Sequence, residues 1–405
     1  MKRKLLCSLI AGLGIAAGGL AHAEISGGVV KIGVLNDMSG PYADLAGPGS
    51  LVAARMAAED YVKQTGSKLK IEIVSADHQN KPDVGSSIVR KWIDSEGVDM
   101  ILDVPTSSVM LAVAEVVKEK NKVFVDSTGG SSDMTGKSCN ANTVHWTYDT
   151  WMLAHGTGSA VVKSGGDSWF FLTADYAFGH ALEKDTSEVV KANGGKVLGG
   201  VKVPLGTQDF SSFLLQAQSS KAKIIGLANA GNDTINSIKQ ASEFGIVKGG
   251  QKMAGLLVFI SDVNGLGLQT AQGLQLTETF YWDMNDNTRA WSKRFGALHG
   301  GKMPTSVQAG VYSGMLHYLK AVDAMKDDKD GAKIVAEMKK MPTDDPLFGK
   351  GSIRIDGRTI HPAYLFEVKK PGESKYAWDY YKLVQTIPAD QAFRPLKDGG
   401  CPLVK

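Results

Sequence analysis

A two-lobed α/β architecture is what this sequence predicts, and three features predict it. Short apolar runs alternate with helix-period runs from about residue 29 onward, the mark of parallel sheets joined by crossover helices. A second series of the same kind begins near Thr150. The chain has 405 residues and is 43% apolar, enough for two or three cores.

In the first series, strands are expected at 30–35, 69–75, 98–104 and 122–126, with helices at 51–62, 84–94 and 109–119. A polar loop, 127–137, follows. The second series predicts strands at 168–173, 196–203, 223–228 and 253–259, separated by helices at 178–192, 211–219 and 234–244. After Gly273 a strand at 274–281 precedes three helices, 290–298, 309–325 and 332–341, and the chain closes on β-rich segments at 351–355, 364–368 and 378–383. That interleaved ending predicts lobes joined by several crossing segments and not by one flexible tether.

The amino terminus sets the compartment. Lys2, Arg3 and Lys4 precede an apolar run from Leu5 to about Leu20, which ends in Ala21-His22-Ala23. This is the pattern of a secretory leader, residues 1–23, cleaved after Ala23, and export follows from it. The run is too short and too rich in glycine for a membrane span. Formal net charge is +3, and the three leader cations account for all of it, so the remainder sums to 3 − 3 = 0. Such a balance disfavours a nucleic-acid partner. Export leaves Cys139 and Cys401, which an oxidising compartment favours as a disulfide. Metal binding by the two is disfavoured, because neither has flanking ligands.

Catalytic patterns fail one by one. Gly136-Lys137-Ser138 has Ser131 where a phosphate-binding loop needs glycine. Asp133 stands where the turn 129–133 would need the closing glycine of a nucleophile elbow. The eight histidines are scattered, so neither a metal centre nor a cofactor is expected. An exported serine hydrolase using a distant His145 is the rival class, and no intact motif supports it.

Ligands of open α/β sheets bind beyond the carboxyl ends of the strands, and the turns there carry unusual chemistry. Gly40 and Pro41 shape a turn that presents Tyr42. Thr106, Ser107 and Ser108 place three hydroxyls at a helix start, where unpaired N–H groups and the helix dipole favour an anion. Plain helix capping is the alternative use for them. Thr128, Gly129, Gly130 and Ser131 add exposed backbone donors and further hydroxyls. In the second half Tyr176 and Phe178 open one helix and Asn229 another, while Asp262 stands after the strand at 253–259, placed to meet an ammonium group.

Taken in this order, the segments 32–42, 105–114, 126–135, 174–179, 207–212 and 232–245 resemble the leucine/isoleucine/valine-binding proteins, the type I periplasmic receptors of ABC importers. The resemblance implies two α/β lobes that close on a ligand, with crossing segments near 146–150, 277–282 and 341–349. It divides the chain into a first lobe, 24–148 plus 280–343, a second lobe, 149–279 plus 344–390, and a tail, 391–405, tied to the first lobe. It also implies a monomer that delivers its solute to an inner-membrane ABC permease. By the same resemblance Ser107 and its neighbours take the ligand carboxylate, and the 128–131 turn adds hydroxyl and backbone contacts. Phe178, with Tyr176 nearby, supplies the stacking ring, Asn229 or Ala230 a contact from the second lobe, and Asp262 the ammonium partner. Phe178 stands where the family often has tyrosine, and Tyr42, Tyr148, Tyr281 and Trp282 add aromatic character. The expected ligand is therefore a small carboxylate, either a hydrophobic amino acid or an aromatic acid. Receptors for amides or urea share the pattern and stand as the alternative.

Overall fold

The computed structural model describes residues 25–405, so the expected leader at 1–23 lies outside the described residues. Strands β1 (Val29–Asn36), β2 (Lys70–Asp77), β3 (Met100–Leu102), β4 (Val123–Asp126) and β5 (Thr143–His145) form a parallel sheet ordered β2-β1-β3-β4-β5. Val30, Ile32 and Val34 of β1 are buried in one apolar cluster and Leu35 in another. Burial on both faces is why this strand reads as nearly continuous apolar sequence.

A second parallel sheet comprises β6 (Ser168–Ala174), β7 (Lys196–Val203), β8 (Ile224–Ala228) and β9 (Lys252–Gly255), ordered β7-β6-β8-β9. Strand β10 (Gln275–Glu278) then starts an antiparallel sheet. A small sheet of β11 (Thr343–Asp345), β12 (Gly349–Ile353) and β13 (Thr359–Ile360) intervenes, and β14 (Ala363–Val368) and β15 (Tyr381–Ile387) complete the order β10-β14-β15. In each parallel sheet the strand order reverses about a central strand, β1 in one and β6 in the other. Crevices open at such switch points, which directs attention to the turns after β1, β3, β6 and β8.

The helices after β10 return to the first sheet. Arg294 makes a two-pronged bond to Asp60 at 2.9 and 2.8 Å, and Tyr312 Oη donates to the same carboxylate at 2.8 Å. Cys139 and Cys401 are joined by a disulfide that spans 262 residues of sequence.

Several elements differ from the sequence expectation. The strand expected at 253–259 stops at Gly255, and a helix, Ile260–Leu266, begins soon after. Its cause is local: the Asp262 carboxylate accepts the Phe259 N–H at 2.9 Å, which starts a helix where the apolar run alone reads as extended chain. Strand β5 is only three residues long and lies in a stretch, beyond the 127–137 loop, to which the sequence assigned no element. The third strand is shorter than expected because Asp103 adopts φ +62° and turns the chain. Aspartate tolerates that left-handed conformation better than most residues.

Candidate functional site

Three turns of the first sheet are stitched together by buried polar groups. Asp37 accepts the Gly40 N–H at 2.6 Å and the Tyr42 N–H at 2.9 Å, and Asn80 Nδ2 at 2.9 Å. The same Asn80 accepts the Thr106 hydroxyl through its Oδ1. Asp103, fully buried, receives Asn36 Nδ2 at 2.8 Å, Ser50 Oγ at 2.6 Å and Thr128 Oγ1 at 2.5 Å. Burial raises the Asp103 carboxyl above its ordinary range, and these donors oppose the rise. Beneath the 127–131 turn, burial and then the nearby Asp103 push Asp126 up further.

The hydroxyl-rich helix start divides its labour. Thr106 is the N-cap of helix Ser107–Glu119, yet its hydroxyl faces Asn80 and does not cap the helix. The first-turn N–H groups are thus left without a side-chain cap, at the positive end of the helix dipole. Ser107 Oγ accepts the Ser131 N–H at 3.1 Å, joining two of the turns. Ser131 Oγ caps the next short turn by accepting the Asp133 N–H at 3.3 Å, and Ser108 is half-buried.

Aromatic side chains converge beyond these turns on a narrow apolar cavity. Tyr42, Thr128, Tyr148, Tyr176 and Phe178 line it. So do Leu45, Pro105, Ala230, Leu257 and Phe259, and none of the lining side chains is charged. Tyr42 Oη and Tyr176 Oη meet at 2.6 Å, which joins the turn after β1 to the turn after β6. Tyr148 donates its hydroxyl to the Thr128 carbonyl. Burial raises the phenols of Tyr42, Tyr148 and Tyr176, so all three stay neutral at neutral pH.

Two glycines make the closeness possible. A Cβ on Gly130 would stand 2.7 Å from Tyr148 Cε2 and 2.9 Å from Phe178 Cε2. On Gly231, at φ +56°, it would stand 2.5 Å from the Pro41 carbonyl oxygen, close to where the Asn232 N–H donates to that oxygen at 3.2 Å. The two sheets' turns are therefore in contact. A wider groove beside Ile224 and Lys252 lies at the amino ends of β8 and β9, away from the turns.

Of the sequence-nominated residues, Thr106, Ser107, Ser108, Gly129, Gly130 and Ser131 lie in the adjoining turns without lining the cavity, and three others are turned to different partners. Asn229 spends its amide on its own helix, donating to Ser237 Oγ at 3.1 Å and accepting from Thr234 Oγ1 at 2.7 Å, while its neighbour Ala230 reaches the wall. Tyr281 packs with Phe366 and Tyr381 and donates to the Trp378 carbonyl at 3.1 Å. Asp262, 2% exposed, points into its helix cap, and burial pushes its carboxyl up to about 7. Leu257 and Phe259 occupy the wall instead. Sequence reasoning missed those two and Leu45, because a lone apolar residue in an apolar run gives no sign of facing a ligand. Asn80 and Asp103 were missed as well; their positive φ values, +57° and +62°, show only in the backbone.

A family model described as periplasmic binding protein matches residues 29–374, most of the chain. The chain belongs to that family. A crystal structure of a periplasmic binding protein from Burkholderia mallei is 53% identical, with TM-score 0.90, covering 94% of this chain and 100% of that one. A branched-chain amino acid ABC transporter periplasmic ligand-binding protein from Burkholderia xenovorans is 40% identical, with TM-score 0.80 and coverage of 93% and 100%. A Leu/Ile/Val-binding protein homologue of Brucella melitensis is 25% identical over 387 residues, 92% of this chain and 95% of that protein. This periplasmic binding protein thus has the type I fold of the leucine/isoleucine/valine-binding group, with parallel sheets flanked by helices.

Proposed function

We propose that this protein is the periplasmic receptor of an ABC importer, exported by its amino-terminal leader, and that it closes two lobes around a small aromatic carboxylate. The observation that carries the ligand class is the cavity wall: three neutral tyrosines, two phenylalanines and two leucines with no charged side chain among them. Rings of that kind favour a flat apolar body through offset or edge-on packing. The carboxylate is assigned to the uncapped start of helix Ser107–Glu119, beside Pro105 and Ser107. An amino acid would also need a partner for its ammonium group, and Asp262 is committed to its own helix.

A hydrophobic amino acid is the second reading, and one observation favours it. Asp233 is buried, one of its carboxylate oxygens has no hydrogen-bond partner, and its charge acts on the hydroxyls of both Tyr42 and Tyr176.

The test is a thermal-shift panel on the mature protein containing benzoate and substituted benzoates, phenylacetate, branched-chain amino acids, urea and short amides. A ligand present at a hundredfold above its Kd stabilises by about 2.7 kcal/mol. Aromatic acids are expected to raise Tm. A shift with amino acids alone would replace the first reading by the second, and a shift with amides alone would discard both. No shift with any member would overturn the binding assignment.

A further inference from the structure

Arg358 is among the largest side chains with no exposed surface, and its guanidinium is spread over one crossing segment. Nη2 donates to the Thr147 carbonyl at 2.7 Å, Nη1 donates to the Tyr148 carbonyl at 3.2 Å, and Nε donates to the Thr359 carbonyl at 3.2 Å. Nη1 also lies 3.4 Å from the Asp149 carboxylate, which in turn caps helix Thr150–Leu153 through the Met152 N–H at 2.9 Å. Burial lowers the guanidinium to about 10, so it remains charged at neutral pH.

Behind Arg358 runs the carboxyl-terminal tail. The Phe393 ring lies 4.5 Å from the guanidinium carbon, and His361, bonded at 2.8 Å to the Trp146 carbonyl, meets the same ring edge-on. The tail leaves β15, and its Arg394 donates to the Ser132 carbonyl at 2.8 Å before Cys401 bonds to Cys139. It therefore starts on the antiparallel sheet and ends beside the 127–137 loop, a further covalent tie between the two halves.

We infer that Arg358 is a positioning residue for the ligand cavity, held over residues 147–149 by the disulfide-closed tail, and that it acts through Tyr148. Tyr148 joins both ends of the argument: its carbonyl is held by Arg358, and its ring lines the cavity. A rigid planar fork holds two successive carbonyls in one fixed geometry, which a compact ammonium on a flexible stem does not. The aim of the Tyr148 ring is thereby set before any ligand arrives, and preorganisation of that kind lowers the ordering cost of binding. The positioning claim stands without the ligand reading; the claim that it tunes affinity rests on it.

The test compares wild type with Arg358→Lys, Phe393→Leu and a Cys139→Ser/Cys401→Ser double variant. Hydrogen exchange of the 146–152 amides is measured without ligand, and Kd is measured by calorimetry with the panel compound that stabilises wild type most. Expected are exchange at these amides at least about tenfold faster in R358K, equivalent to about 1.4 kcal/mol of local opening, and a smaller rise in F393L and in the cysteine double variant. Kd is expected to weaken in the same order. Unchanged local exchange in a folded R358K overturns the positioning role. If R358K does not fold, F393L and the cysteine double variant decide the matter, and unchanged exchange in both overturns it. Faster exchange with unchanged Kd overturns the link to the cavity. If no panel compound binds wild type, the binding assignment fails, while the exchange readout still decides the positioning claim.

Discussion

Replacing Gly231 by alanine tests whether contact between the two sheets' turns stabilises the ligand-bound state. The added Cβ would sit 2.5 Å from the Pro41 oxygen, against a floor of about 3.0 Å for real contacts, so the turns must part by about half an ångström. That movement weakens the Asn232 N–H to Pro41 bond and the Tyr42–Tyr176 hydroxyl bond. Each is worth about 1 kcal/mol, and a total of about 2 kcal/mol is about a thirtyfold rise in Kd. The backbone at position 231, with φ +56° and ψ −133°, is a conformation left almost entirely to glycine and adds its own cost, about 1–3 kcal/mol, but that strain is present with or without ligand and lowers Tm, leaving Kd alone. Gly245→Ala is the matched control, because Gly245 has φ +67° and nothing within 4 Å of a new Cβ. Calorimetry and thermal denaturation on both variants separate the two effects. G231A is expected to lose affinity and Tm, and G245A only Tm. A G231A protein whose Kd stays within about twofold of wild type would refute the closing role of this contact.

Three other outcomes are expected. Ser107→Ala removes the acceptor for the Ser131 N–H and should cost about 1–3 kcal/mol of stability, with weaker carboxylate binding in the same titration; unchanged affinity would remove Ser107 from the site. Burial pushes Asp262 and Asp233 each up to about 7, above the unfolded carboxyl value near 3.9. The folded state holds these protons more tightly, so their contribution is full below about pH 4 and is lost as pH rises to about 7. Asp262→Asn should therefore flatten that part of a urea-unfolding profile against pH, and parallel curves for the two proteins would contradict it. Removing the disulfide with the Cys139→Ser/Cys401→Ser pair frees a 262-residue loop. The chain-entropy argument sets the loss at no more than about 6 kcal/mol, read as a lower urea midpoint, and an unmoved midpoint would show that the bond contributes no stability.

The parallel sheets were legible because their inner strands are buried on both faces and helices of regular period separate them. Strand β5 was not, since three residues carry no periodicity. At the cavity the chemistry of the turns singled out Tyr42, Thr128, Tyr176 and Phe178, all of which stand in or beside turns that follow strands. Thr106 and Ser131 read as ligand hydroxyls from composition alone, yet one faces Asn80 and the other caps a turn. Local sequence does not say whether a hydroxyl is already satisfied. Arg358 carried no signal either, because what makes it unusual is complete burial against carbonyls more than 200 residues earlier.

The network centred on Asp103 bears on the order of events during capture. Its bonds to Asn36, Ser50 and Thr128 all lie within the first half of the chain, as does the Ser107 to Ser131 bond. None of them waits for the second sheet to arrive. On the proposed reading that half is a finished docking face, and Tyr176, Phe178 and Leu257 add the opposite wall of the cavity. The proposed function then has a solute land on the first surface and be enclosed by the second. Encounter is then governed by the hydroxyl turns and residence time by the aromatic wall, so substitutions at Phe178 shorten the bound lifetime while leaving the association rate nearly constant.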